Sequence, residues 1–293
     1  MVTLSDQSTN EADRFVLTLS CEDRIGIVAD VSRFLFEHRC NIVDSAQFGD
    51  PDNGRFFMRT SFQAQSPLKR DALDKDFAPV REKFGMDAAF HIQGAKLPTL
   101  VLVSRFGHCL NDLIYRHKIG ALPVDIRAIV SNHSDFADVA ETAKIPFHHL
   151  PVTADTKAAQ EAALLNIARE QGVELIVLAR YMQVLSAEFC ARYSGRIINI
   201  HHSFLPSFKG ARPYQQAHVR GVKLIGATAH YVTSNLDEGP IIEQAVERVT
   251  HAFSVDDMVA AGRDLESVVL ARAVKWHAEH RILPNRGRTV VFR

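Results

Sequence analysis

The chain is poor in everything that would mark a cross-linked, membrane-bound or nucleic-acid-binding protein. Its 293 residues include four cysteines. Cys21, Cys40, Cys109 and Cys190 are scattered without a CxxC pair, which fits a reduced cytoplasmic protein better than a disulfide framework. Net charge is missing too: 34 basic residues balance 34 acidic ones. That leaves no electrostatic footprint for nucleic acid or an anionic membrane. No apolar run approaches the ~18 residues of a membrane span. The opening MVTLSDQSTNEADR is polar and does not read as a secretory leader. Repeats and low-complexity tracts are absent. What remains, 46% hydrophobic and 23% charged, is ordinary for globular proteins and enough for one large domain or two modest ones.

The 14 histidines are dispersed, with no HExxH spacing. His148-His149 and His201-His202 are neighbours, so in extended backbone each pair diverges, whereas zinc needs converging ligands. No metal is expected.

The N-terminal third reads as a small module. Residues 15–20 alternate as a strand, and a helix follows with Val28, Val31, Phe34 and Leu35 at helical spacing. Residues 41–48 form a second strand. Asp52-Asn53-Gly54 is a hairpin turn, and Phe56, Met58, Thr60 and Phe62 alternate along a third. One more helix carries Leu73, Phe77, Val80 and Phe84, with Pro79 as a kink; residues 86–92 close the block. The order βαββαβ describes a ferredoxin-like sandwich. Through Asp23-Arg24-Ile25-Gly26-Ile27 the block resembles the amino-acid-sensing ACT domain. Asp23, Ile25 and Gly26 then mark a possible effector site, and Gly26 either admits a ligand closely or caps a tight turn. The resemblance implies regulation by a small amino acid or dimerisation by sheet extension, without choosing between them.

After a linker at 93–96, apolar strands alternate with amphipathic helices. Residues 97–103, 124–130, 175–179 and 197–200 read as strands, while 109–118 and a long helix capped by Asp155, with Ala158, Ala162, Leu165 and Ala168 inward, read as helices. A Ser254 capping box opens a last helix with Met258, Leu265, Val268 and Val269 inward. This pattern predicts a Rossmann-like α/β domain, its mostly parallel sheet covered on both faces. Domain bounds of 14–93 and 97–293 follow.

The stretch RIINIHHSFLPSFKGARPYQQAHVRGVKLIGATAHYVTSNLDEGPIIEQ, residues 196–244, concentrates the chemistry. Asn199 and His201 lie two apart and share a face, as do Thr228 and His230. Both the Asn199/His201 end and the Asp237 turn fall at strand ends, where sheets of this kind bind ligands. An amide donor, an imidazole and a carboxylate make a plausible acid/base site.

Asn199-Ile200-His201, the Ser203-Phe204-Leu205-Pro206-Ser207-Phe208-Lys209-Gly210 loop and Asp237-Glu238-Gly239 together resemble the active-site segment of the folate-dependent formyltransferase-like family. The resemblance implies that Asn199 and His201 meet the oxyanion formed at a formyl carbon, and that Asp237 orients His201. Thr228 and His230 would stand behind them. Met182, Gln183, Val184 and Leu185 fall on the folate-binding wall. The family uses the folate as its substrate and no metal.

Three features favour water over an amine as acceptor. Ser104-Arg105-Phe106-Gly107-His108 replaces a Gly-rich phosphate loop. His202 stands where the transferases usually carry proline. An ACT-like block precedes the catalytic domain. In these the chain resembles the formyltetrahydrofolate deformylases, which implies hydrolysis of 10-formyltetrahydrofolate, an oligomeric cytoplasmic enzyme and a link to purine synthesis. His202 would position the water or merely pack. The runner-up reading is formyl transfer to an amine; a reading of another class is an amino-acid-sensing regulator that only binds folate.

Overall fold

A computed structural model describes residues 14–205 and 213–293. Contacts divide the chain into two compact units, Met1–Ala95 with Glu279–Leu283 and Val290–Arg293, and Lys96–Ala278 with Pro284–Thr289. Two short stretches near the end thus group with the first unit, where the sequence reading ran the second unit through to residue 293.

The first unit contains β1 (Arg14–Glu22), α1 (Ile27–Glu37), β2 (Cys40–Asp50), β3 (Arg55–Ala64), α2 (Arg70–Asp76), α3 (Ala78–Phe84) and β4 (Asp87–Ile92). Its sheet has the order β2-β3-β1-β4 with antiparallel neighbours, the ferredoxin-like arrangement. Period-two alternation sends Phe15, Leu17 and Leu19 of β1 and Phe56, Met58 and Phe62 of β3 to one face, against Ile27, Val31, Phe34 and Leu35 of α1. Phe77 meets Phe34 edge-on with centroids 4.9 Å apart and Phe90 at 5.4 Å. Each such side chain contributes roughly 2 kcal/mol through burial.

Two expectations fail here. Val28 is exposed, and Ile27 takes its inward place. The single helix expected around Pro79 is two helices that meet at Phe77, whose full burial fixes the joint. Pro79 sits in the first turn of α3, where its missing N–H has no helical partner to lose.

The second unit runs β5 (Leu97–Val103), α4 (His108–Lys118), β6 (Val124–Ser131), α5 (Ala137–Thr142), β7 (Phe147–His149), α6 (Lys157–Glu170), β8 (Leu175–Leu178), α7 (Ala187–Arg192), β9 (Ile197–His201), α8 (Pro213–Arg220), β10 (Leu224–Tyr231), β11 (Ile241–Arg248) and α9 (Val255–Ala278). A short hairpin, β12 (Ile282–Asn285) and β13 (Arg288–Val291), follows. The seven-stranded sheet has the order β11-β10-β9-β8-β5-β6-β7. Pairs from β9 through β7 are parallel, and β10 runs antiparallel to both β9 and β11. The chain leaves β5 towards β6 and β7, then returns on the other side as β8. That reversal is the topological switch point at which ligand crevices form in open α/β sheets.

The buried face of α6 is not the expected alanine stripe. Ala158 and Ala162 are exposed, and Gln160, Glu161, Leu164 and Ala168 point inward. The polar pair is buried because each has a partner: Gln160 donates to the Tyr181 hydroxyl at 2.6 Å, and Glu161 accepts the Ser186 N–H at 2.9 Å. Thr156 rather than Asp155 occupies the N-cap position. Ahead of α9 the capping box forms as expected, with Asp257 N–H donating to Ser254 Oγ and Ser254 N–H to Asp257 Oδ2. Met258 and Val269 are buried, whereas Leu265 and Val268 are half-buried. Among the described residues no helix is long and apolar enough to cross a membrane.

Candidate active site

β9 ends at the carboxyl edge of the sheet, and its pairing with β10 sets the site. The antiparallel register places His230 opposite Asn199 and Thr228 opposite His201, so these pairs share a face. Beyond β10 the chain reverses sharply. Gly239 lies so close to the Tyr231 carbonyl that a β-carbon there would sit 1.7 Å from the oxygen. Asp237 adopts φ 55°, the left-handed region that aspartate tolerates better than most residues. This turn brings the Asp237 carboxylate back over the end of β9.

The side chains then meet. Asp237 Oδ2 is 3.2 Å from His201 Nδ1, and Oδ1 is 3.7 Å from His230 Nε2. Asn199 Nδ2 lies 3.2 Å from His230 Nε2, and His230 Nδ1 donates to the Tyr231 carbonyl at 2.9 Å. The hydrogen bond from His201 holds the Asp237 carboxyl well below the usual carboxylate range, against burial, which opposes it. His201 is 6% exposed, yet its Nε2 is buried with no hydrogen-bond partner among the described residues. A buried nitrogen of that kind is costly unless a ligand meets it.

Asn199, His201, His202, His230 and Asp237 line one cavity of about 270 Å³ together with Met182, Gln183, Val184 and Leu185. The residues expected on the folate wall therefore share a cavity with the residues expected to do the chemistry. Met182 and Val184 are exposed and Leu185 is buried. The wall is held from behind: Ser104 Oγ accepts the Met182 N–H at 3.0 Å and donates to Asn132 Oδ1 at 2.7 Å.

Thr228 is not part of this lining. It is fully buried, donates to the Ser203 carbonyl at 2.9 Å, and accepts from the Leu205 N–H and from Gln244 Nε2. Its role is to hold the chain just after the two histidines. Of the loop motif, residues 206–210 lie outside the described residues. Asp23, Ile25 and Gly26 stay together in the first unit, at the turn between β1 and α1. There Gly26 has φ 100° and the Ile25 side chain is wholly exposed.

Sequence reasoning missed a second polar cluster behind His202. Glu266, on α9, is 2% exposed; its carboxylate accepts from His108 Nε2 at 2.7 Å and from the Tyr214 hydroxyl at 3.0 Å. Arg180 Nε lies 3.3 Å from the same carboxylate. Burial works to raise the Glu266 carboxyl, but His108, Arg180 and Tyr214 outweigh it and bring the group below its ordinary value. One signal could have revealed Glu266: it continues the four-residue stripe Met258, Gly262, Glu266 on the buried face of α9.

His108, Cys109 and Glu266 also bring potential metal-ligand atoms within 4.8 Å of one another. Burial and the Glu266 charge push the Cys109 thiol up, and the shared carboxylate is already engaged by a guanidinium. The donor chemistry is that of an ion-pair network rather than a cation site.

The chain matches the formyl transferase family over residues 98–274 and the ACT domain over residues 15–76. It is 50% identical to a formyltetrahydrofolate deformylase of Corynebacterium sp. (strain P-1) over 285 residues, covering 97% of this chain and 100% of that protein. A formyltetrahydrofolate deformylase of Bacillus subtilis is 45% identical over 291 residues, covering 99% and 97%. Among solved structures, the formyltetrahydrofolate deformylase of Burkholderia mallei aligns with a TM-score of 0.92 at 54% identity, covering 96% of this chain and 100% of that one.

Proposed function

The chain belongs to the formyl transferase family, among its formyltetrahydrofolate deformylases, and we propose that Asn199, His201 and Asp237 are the residues with which it hydrolyses 10-formyltetrahydrofolate to tetrahydrofolate and formate. The observation that carries this reading is the state of His201. Its Nδ1 is tied to Asp237, its Nε2 is buried without a partner among the described residues, and the side chain lines the same cavity as Met182 to Leu185.

In this mechanism the formyl group of the folate lies between Asn199 and His201. Asp237 is a carboxylate and takes a proton as water attacks the formyl carbon. The carbonyl π pair moves to oxygen, giving a tetrahedral oxyanion. Asn199 Nδ2 donates one hydrogen bond to that oxygen and protonated His201 Nε2 a second, in the manner of an oxyanion hole. His201 then delivers its proton to N10, the oxyanion re-forms the carbonyl, the C–N10 bond breaks with its electron pair going to nitrogen, and formic acid leaves. Asp237 then gives the water-derived proton to solvent, and His201 Nε2 takes one back from solvent. Water has added across the C–N bond, and formic acid gives its remaining proton to solvent.

His230 accepts from Asn199 Nδ2, orienting the amide so that its second N–H is left for the oxyanion. The folate is substrate, with its ring against residues 182–185. We further propose that residues 14–93 form a regulatory or oligomerising module, with Asp23, Ile25 and Gly26 as its effector site. The enzyme then works as a cytoplasmic oligomer that balances folate pools and supplies formate for purine synthesis. The test is to incubate the purified protein with 10-formyltetrahydrofolate and no amine. Formate released at catalytic turnover supports the reading; formyl loss that begins only when glycinamide ribonucleotide is added contradicts it.

A further inference from the structure

Two adjacent imidazoles line the cavity with opposite partners. The rings of His201 and His202 stack with centroids 4.9 Å apart and planes 17° from parallel. His201 turns Nδ1 to the Asp237 carboxylate, which can only accept, so that nitrogen carries a proton. His202 turns Nδ1 to the guanidinium of Arg180, with Nη1 at 2.7 Å. A guanidinium has no acceptor and stays protonated in proteins. His202 Nδ1 is therefore the acceptor. It holds a lone pair, its ring proton sits on Nε2, and the ring is neutral.

Arg180 is fixed in this duty. It lies in the left-handed region, with φ 64°, an uncommon place for a long side chain. Its Nε is 3.3 Å from Glu266, which His108 and Tyr214 hold in turn, and its guanidinium carbon is 5.8 Å from the Phe106 ring centre. The groups facing His202 come from every neighbouring element. They are Arg180 after β8, His201 beside it on β9, Tyr214 of α8 with its ring centre 6.4 Å away, Asp237 after β10 and Glu266 of α9. Burial, then Arg180 and His201, push the His202 imidazole down to about 4, against Glu266 and Asp237.

We propose that Arg180, anchored on buried Glu266, is a positioning residue that holds His202 as the neutral Nε2–H tautomer, so that His202 donates a hydrogen bond and the transferable proton stays on His201. The second half of this statement rests on the hydrolytic reading above; the tautomer does not. Two imidazolium rings stacked this closely would repel, and a second cation would compete with His201 for the proton that N10 needs. A guanidinium on one ring and a carboxylate on the other divide the pair into a donor and an acid. His202 Nε2–H offers a hydrogen bond to the attacking water's oxygen, leaving Asp237 to take the proton.

The experiment is nitrogen-15 spectroscopy of the histidine rings, without substrate, in the wild type and in Arg180→Met and Arg180→Lys, with His202 assigned by the signal lost in His202→Gln. The wild type should show His202 with bare Nδ1 and protonated Nε2, and no titration between about pH 5 and 8. In Arg180→Met the ring should titrate in that range, and turnover at about pH 6 should fall at least fivefold relative to about pH 8. Arg180→Lys, which still donates, should retain the wild-type pattern. A protonated Nδ1 in the wild type overturns the proposal, as does an Arg180→Met variant whose His202 signals and pH profile are unchanged. Should Arg180→Met not fold, Glu266→Gln, which loosens the anchor, is read by the same criteria. The ring signals need no catalysis, so the expected tautomer in a protein that releases no formate would overturn the hydrolytic reading alone.

Discussion

His201 Nδ1 and Asp237 Oδ2 lie 3.2 Å apart although the two residues are 36 positions apart in the sequence. The contact exists because β9 ends at the sheet's carboxyl edge and the turn after β10 doubles back over it. It fixes an imidazole that lines the cavity and whose Nε2 is buried with no partner among the described residues. Asp237→Asn keeps the shape but removes the charge and, in one orientation, offers His201 a donor instead of an acceptor. Turnover should fall more than about tenfold while the folate dissociation constant changes little. Steady-state rates and equilibrium binding of a folate analogue check both parts.

Asn199 carries the other half of the oxyanion site, and its amide is oriented by His230 at 3.2 Å. Asn199→Ala should lower kcat by about 100- to 1000-fold, the usual cost of one lost oxyanion donor, with much less effect on KM. A variant that instead raises KM with kcat unchanged would make Asn199 a binding residue only.

The position of Asp237 depends on a glycine. An alanine β-carbon at Gly239 would lie 1.7 Å from the Tyr231 carbonyl oxygen, which belongs to backbone and cannot swing aside. Gly239→Ala should therefore displace the turn and cut turnover at least as severely as Asp237→Asn. Melting temperature and kcat measured together separate a shifted turn from general unfolding.

Acid should destabilise the fold well above the range where carboxylates titrate. His91, His202 and His277 are each pushed down to about 4, chiefly by burial. Their folded values lie below the ordinary ~6.5, so the unfolded chain binds more protons between the two. Their neutral forms cost nothing at pH 7, and stability is lost as pH falls from about 6.5 to 4. Asp237, whose carboxyl is held low, contributes stability above about pH 3.9 and loses it only below. Urea titrations at a series of pH values should show the first loss, and His277→Asn should make it shallower.

Much of this was legible in the sequence, and the parts that were not share a cause. Apolar runs such as residues 97–103 and 175–178 identify buried parallel strands, and Asn199 with His201 needs only the two-residue strand period to share a face. The Asp237 turn also reads as a strand end, and the resemblance supplied its pairing with His201, which spacing alone does not give. Cross-chain polar partnerships left little periodic trace. Gln160 and Glu161 turn α6 away from its alanine stripe because Tyr181 and the Ser186 N–H await them. Phe77 ends one helix and begins the next because the rings of Phe34 and Phe90 meet it there. Thr228 shares a strand face with His230 but serves the loop after His202 through Ser203 and Leu205. The residues His108, Arg180, Tyr214 and Glu266 have no common spacing, and only the stripe on α9 hinted at one of them.

The claim that one amide, one imidazole and one carboxylate act on a single formyl carbon is tested most directly by a double-mutant cycle. Single-turnover rates of formate release are measured for the wild type, His201→Ala, Asp237→Ala and the double variant, with folate binding checked in each. Residues that work as a unit give non-additive losses. The double variant should be slower than His201→Ala by no more than about threefold. A double variant whose loss equals the product of the two single losses would mean that the pair acts independently, and would contradict the account.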